Sequence, residues 1–172
     1  MALKTISRVS FFTNKAEELV RFYGEVFGFT LMWDAVIGEG ENGEIISKAW
    51  HLDPGAHIHG KAMRAPRGDM EIQFTYMTGQ TMRDGQRDNS SAPRSGDVYF
   101  VIHVPDLDET IEKLKPFNVE VNRPPMKMTA YDAEGRSFPV YEMVIYDPQG
   151  TPVIIVQDPD SLNPHVQKPQ AS

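Results

Sequence analysis

The feature that most restricts the fold is a stretch that the chain uses twice. Residues 8–29, RVSFFTNKAEELVRFYGEVFGF, open on apolar and β-branched residues, Val9 to Thr13, that suit a short strand. A helix is expected next. Asn14 is placed to cap its first N–H groups, and Glu17 is placed to complete a capping box. Ala16, Leu19, Val20, Tyr23, Val26 and Phe27 recur at helical spacing and make one apolar stripe. Gly28 can end the helix because glycine enters the left-handed region without a Cβ clash. Thr30 to Trp33 then reads as a second strand.

The second copy, YFVIHVPDLDETIEKLKPFNVEV, begins at Tyr99, so Tyr99 stands where Arg8 stands in the first. Asp106 takes the cap position, Glu109 closes its box, and Leu107, Ile111 and Leu114 form the stripe. Two strand–helix–strand units so far apart match no solenoid period and predict a pseudo-symmetric pair of modules.

Between and after these units the chain reads as strands and turns. Thr30 to Val36 and Ile45 to Leu52 are expected to be strands separated by the turn GEGENGE. Asp53-Pro54-Gly55 is a second turn, His57 to Arg64 a strand, Pro66 to Gly68 a turn, and Met70 to Met77 a further strand. Alternation in that last strand puts Glu71, Gln73 and Thr75 on one face and Ile72, Phe74 and Tyr76 on the other. The apolar face belongs against the helix, which turns the polar row toward a cavity. A hairpin closes the second module: strand Val140 to Tyr146, a type I turn at Asp147-Pro148-Gln149-Gly150, and strand Pro152 to Gln157. The expected division is a first module over 1–78, a linker over 79–97, a second module over 98–158 and a tail over 159–172 that can pack on a partner.

Composition sets limits on partners and chemistry. The 172 residues allow one domain or two small modules with a real core, and 40% apolar with 24% charged residues is ordinary for a globular protein. With 24 acidic against 17 basic residues the net charge is −7, and no basic stripe stands out, so nucleic acid is not expected as a partner, nor is an anionic membrane. There is no cysteine, which removes disulfides, zinc–thiolate sites and a cysteine nucleophile. No apolar run reaches a membrane span, and MALKTISRV lacks the apolar core of a secretory signal, so the expected location is the cytoplasm. Ser90, Ser91 and Ser95 fall in the linker with no nucleophile-elbow context, and there is no Gly-rich phosphate loop.

Four pieces, in order, resemble the vicinal oxygen chelate superfamily, which includes glyoxalase I, bleomycin-resistance proteins and extradiol dioxygenases. They are RFYGEVFGF, RAPRGDMEIQF, VPDLDETIEKLKPFNVEV and YDPQG. The resemblance implies an α+β fold of two βαβββ modules, whose cupped mixed sheets enclose a central cavity, commonly in a homodimer. It implies a divalent metal held from the first and fourth strands of both modules. Carried over residue by residue, those positions fall on Arg8, Glu71, Tyr99 and Ile154.

That set predicts a metal position without a metal, and no other cofactor. A guanidinium is a fixed cation, isoleucine has no donor atom, and a phenol gives up its proton only near ~10. Arg8 and Glu71 are instead expected to form an ion pair that holds Glu71 ionised. One alternative stays open: His51, His57 and His59 cluster in sequence, and with Glu71 they can make a displaced metal site if the hairpin register puts them on one face. His103 shares a strand face with Tyr99 and can look into the cavity. His165 lies in the tail. Trp33, Trp50, Phe74, Tyr76, Tyr99 and Tyr141 read as core, with some able to line a flat pocket, and the methionines around Met126 and Met128 suggest an adaptable wall.

Two functions follow from the resemblance. One is a metal-independent lyase or isomerase, with Glu71 as the catalytic base and Arg8 and Tyr99 as oxyanion holders. The other is a binding module that sequesters a small carbonyl or aromatic ligand, with Gln73, Thr75, His103 and Tyr141 as binding residues.

Overall fold

In a computed structural model, residues 8–37, 41–68, 70–82, 98–131 and 134–157 are described, and the chain divides into two compact units, Met1–Gln86 and Arg87–Ser172. The first unit runs β1 (Arg8–Phe12), α1 (Ala16–Phe27), β2 (Thr30–Ile37), α2 (Glu41–Ala49), β3 (His57–Arg64) and β4 (Glu71–Thr78). Its sheet has the order β1-β4-β3-β2, with β1 parallel to β4 and the other pairs antiparallel.

Helix α1 covers one face of this sheet. Leu19, Phe22, Tyr23 and Val26 are buried, and the Tyr23 ring lies 5.4 Å from that of Phe74 on β4. Val20, expected in the stripe, is half-buried, and Phe22 takes the fuller burial instead. The start of the helix also departs from expectation. Lys15 occupies the N-cap with no side-chain cap bond, and its N–H donates to Thr13 Oγ1 at 2.8 Å. Glu17 reaches not back to the cap but across to Lys61 on β3, at 2.8 Å. Lys61 is buried and also pairs with Asp34 on β2, tying α1, β2 and β3 together. Burial pulls this ammonium's pKa down, but the hydrogen bonds and charges of Asp34 and Glu17 outweigh it and leave the pKa raised. The helix ends as expected: Gly28 has φ 74°, its N–H donates to Gly24 O, and Phe29 N–H donates to Tyr23 O.

The strand expected over Ile45 to Leu52 is a helix. Residues 38–40 of the turn GEGENGE lie outside the described residues, and the rest of it begins α2. The side chains decide this locally, with Lys48 bonded to Glu44 one turn back at 2.7 Å, and Trp50 N–H continuing the ladder to Ile46 O at 3.0 Å. Ile45 is exposed rather than packed in a sheet. The following turns hold. Ala56 N–H closes on Asp53 O at 3.0 Å around Gly55, at φ 83°, and Ala65 N–H meets Met70 O at 3.1 Å across the β3–β4 loop.

The second unit repeats the wiring. It runs β5 (Phe100–His103), α3 (Leu107–Leu114), a 3-10 turn at Lys115–Phe117, β6 (Val121–Tyr131), β7 (Ser137–Tyr146) and β8 (Pro152–Gln157), with sheet order β5-β8-β7-β6. Asp106 Oδ1 accepts the Glu109 N–H at 2.9 Å, while the Glu109 carboxylate pairs forward with Lys113 at 2.7 Å. Leu107 and Leu114 are buried, as are Met143, Ile145, Val153 and Ile155 of the sheet. The β7–β8 turn forms at Asp147, whose carbonyl accepts from Gly150 N–H at 2.8 Å and whose Oδ1 accepts from Gln149 and Thr151 N–H.

The architecture is therefore α+β, two βαβββ modules, with α2 inserted between the second and third strands of the first. Most of the expected linker, 83–97 with Ser90, Ser91 and Ser95, lies outside the described residues, as does the expected tail with His165. Among the described residues no helix is long and apolar enough to cross a membrane.

Candidate functional site

Register fixes which side chains share a face. In the first sheet Arg8 pairs with Glu71 and Glu71 with Arg64, Ser10 pairs with Gln73 and Gln73 with Ala62, and Phe12 pairs with Thr75 and Thr75 with Gly60. Side chains of paired residues lie on the same side of a sheet. The expected polar row is thus joined by Arg8 on one flank and Arg64 on the other. Ile72 and Phe74 point to the α1 side and are buried.

Glu71 is held from both directions. Arg8 donates Nε at 3.0 Å and Nη2 at 2.6 Å to Glu71 Oε2, and Arg64 donates Nη2 at 2.7 Å to Oε1. Arg8 Nη1 also donates to Gln73 Oε1 at 3.1 Å, and Gln73 Nε2 donates to Thr75 Oγ1 at 2.9 Å. Glu71, Gln73 and Thr75 are all buried. Their polar atoms satisfy one another in a continuous chain, which is what makes a buried polar row tolerable. Hydrogen bonds from Arg64 first and Arg8 second, with the charges of both, outweigh burial and hold the Glu71 carboxyl below its ordinary value.

An indole lies beneath the clamp. The Arg8 guanidinium carbon sits 5.0 Å from the Trp33 ring centroid, a cation–π contact. Gly60 leaves the room that Trp33 fills: a Cβ there would come 2.8 Å from Trp33 Cη2 and 2.8 Å from Ile37 Cδ1. At the Phe12 end of the row Trp50 meets Phe12 edge-on, with centroids 4.9 Å apart. Arg64 and Gly60 were not singled out from sequence, and Trp33 was named only among the aromatics read as core with some able to line a pocket. Arg64 stands within RAPRGDMEIQF, and counting the β3–β4 hairpin outward from its turn would have placed it opposite Glu71.

The histidines lie elsewhere. His59 pairs with Tyr76 and His57 with Thr78, so both sit on the face opposite Glu71. His59 stacks on Tyr76 at 4.9 Å and makes a hydrogen bond with Thr78 Oγ1 at 3.0 Å. His51 is in the turn after α2, at φ 52°. This register removes the displaced site of His57, His59 and Glu71. Among the described residues, no group of three or more His, Asp or Glu side chains is placed to hold a metal ion.

In the second unit His103 pairs with Val156 and Val156 with Glu142. Tyr141 is one residue out of step. It pairs with Gln157, whose Oε1 accepts the Leu107 N–H at the start of α3, so Tyr141 is on the helix side of its sheet and His103 on the other. Tyr99 is exposed and lies ahead of the β5 ladder, and Ile154 pairs with Val101 rather than with Tyr99. On the His103 side, Glu142 is paired with Arg123.

These residues do not fit the divalent metal that the resemblance implies. Glu71 is the one carboxylate among the four carried-over positions, and both its oxygens are committed to guanidinium groups. A divalent ion needs several oxygen or imidazole donors, and here it would meet two fixed cations first.

Comparison with known proteins agrees with this architecture. A search of curated proteins finds no match. Among solved structures, a glyoxalase family protein from Bacillus cereus aligns at 18% identity over 91% of this chain and 95% of its own, with a TM-score of 0.69. Glyoxalase I from Zea mays aligns at 15% identity over 90% of this chain and 44% of its own, with a TM-score of 0.57. TnmS3, an antibiotic binding protein from Streptomyces sp. CB03234, aligns at 18% identity over 92% of this chain and 99% of its own, with a TM-score of 0.56. At these identities the likeness is one of fold. The profile of the Glyoxalase/Bleomycin resistance protein/Dioxygenase superfamily matches residues 5–155. The chain belongs to that superfamily.

Proposed function

We propose that this chain binds a small aromatic or carbonyl-bearing molecule on the Arg8–Glu71–Gln73–Thr75 face and holds it without turnover. One observation carries the reading: both Glu71 oxygens are engaged by arginines. A general base must offer an oxygen to a proton on carbon, and its pKa must lie near working pH. Glu71 is ill suited to both, since its pKa is lowered and each of its oxygens already accepts from Arg8 or Arg64. The rest of the face suits binding, with an indole, a hydroxyl and an amide set beside one another. The antibiotic-binding description of TnmS3 is consonant with this reading.

The second reading, a metal-independent lyase or isomerase with Glu71 as base, is supported by how polar the row is. A panel of flat aromatic and carbonyl compounds separates the two, with binding followed by tryptophan fluorescence and turnover by NMR. We expect binding without turnover in the native protein, and binding retained in Glu71→Gln. Turnover that vanishes in Glu71→Gln would reverse the assignment. As part of the same proposal the chain acts in the cytoplasm as a homodimer, which light scattering on the purified protein checks.

A further inference from the structure

The charge balance of the site narrows its ligand, on the premise that the face binds small molecules. Two guanidinium groups share one carboxylate, so the cluster carries a net positive charge in a protein whose total is −7. The two arginines are not equally committed. Arg8 donates from Nε, Nη1 and Nη2 to Glu71 and Gln73 and lies against Trp33. Among the described residues Arg64 makes one hydrogen bond, Nη2 to Glu71 Oε1, and its side chain is 47% exposed against 11% for Glu71. A guanidinium carries several N–H donors in a planar fork that matches a carboxylate. Arg64 has most of that fork open to solvent at the edge of the row, anchored by the one bond that orients it.

We propose that the site selects an organic anion, a molecule whose carboxylate or phenolate oxygen docks on Arg64 while its apolar body lies toward Trp33. Glu71 then acts as a positioning residue. It takes up the charge of Arg8 and fixes Arg64, leaving one cation's worth of attraction for the ligand. Guanidinium–carboxylate pairing gains strength beside a partly buried network, because less water competes for the donors.

The test uses a matched pair of probes, naphthoate and its neutral amide naphthamide, titrated into the full-length protein and read by tryptophan fluorescence and calorimetry. We expect naphthoate to bind about tenfold or more tightly than naphthamide, as a charge-assisted hydrogen bond supplies. Arg64→Gln should erase that preference, bringing the affinity for naphthoate down to that for naphthamide, and Arg64→Lys should restore part of it. Glu71→Gln removes the carboxylate charge that the two guanidiniums share, while its amide oxygen can still accept from them. It should raise the ratio of naphthoate to naphthamide affinity; an unchanged ratio would overturn the positioning role. Melting curves identify any variant that does not fold; the native protein's preference and its loss in high salt then carry the test. Equal affinity for the two probes would overturn the anion assignment and leave small-molecule binding standing. Failure of both probes to bind at millimolar concentration would overturn both.

Discussion

Glu71 was legible in the sequence as one member of a pair with Arg8, because strand alternation placed it in a polar row and the family resemblance placed both at one former metal position. Its second partner was not. Arg64 becomes its neighbour only once the β3–β4 hairpin is paired, and a shift of one residue would have turned Arg64 to the opposite face. The faces of Tyr141 and His103 were likewise not legible, since Tyr141 lies one residue out of step with His103 across β7 and β8. The clamp makes a prediction in acid. Glu71 titrates below its ordinary value when folded, so the stability it adds is complete above the unfolded carboxyl pKa near ~4.3 and is lost as pH falls through the lower folded one. Carboxyl-carbon NMR should show the Glu71 resonance moving at lower pH than the exposed glutamates, and Arg64→Gln should bring its midpoint back up.

Elements were legible where local chemistry and tertiary packing agreed. Asp106 caps α3 as its sequence indicates, and removing the acceptor in Asp106→Ala should cost about 1 kcal/mol in chemical denaturation. The aromatic face of α1 was equally plain in its spacing. Phe74→Ala opens a cavity beside Tyr23 and should cost about 3–5 kcal/mol on the same assay. Helix α2 was misread because adjacent isoleucines carry strand preference, and nothing in that preference records that Ile45 faces solvent. Exposed on one side and bonded from Glu44 to Lys48, the segment follows its local helical pairing instead.

At the scale of the molecule the repeat was the most legible feature, since two sheets of identical strand order follow from two copies of one strand–helix–strand pattern. Net charge adds a prediction there. A total of −7 repels an anion at long range, whereas the arginine pair attracts it on contact. Raising salt from about 10 mM to about 150 mM shortens the Debye length to ~8 Å and screens the distant repulsion more than the contact. Stopped-flow fluorescence should therefore show naphthoate associating faster at the higher salt, the reverse of what a basic protein does.

Gly60 has a consequence out of proportion to its size. A Cβ there would come 2.8 Å from both Trp33 Cη2 and Ile37 Cδ1, so the place of the indole over β3 depends on a position that contributes only emptiness. Alanine there would displace Trp33 or Ile37, with a shift in the Trp33 emission maximum as the visible sign. On the proposed reading, the breadth of ring admitted is thus set on β3, the strand that also carries the Arg64 charge.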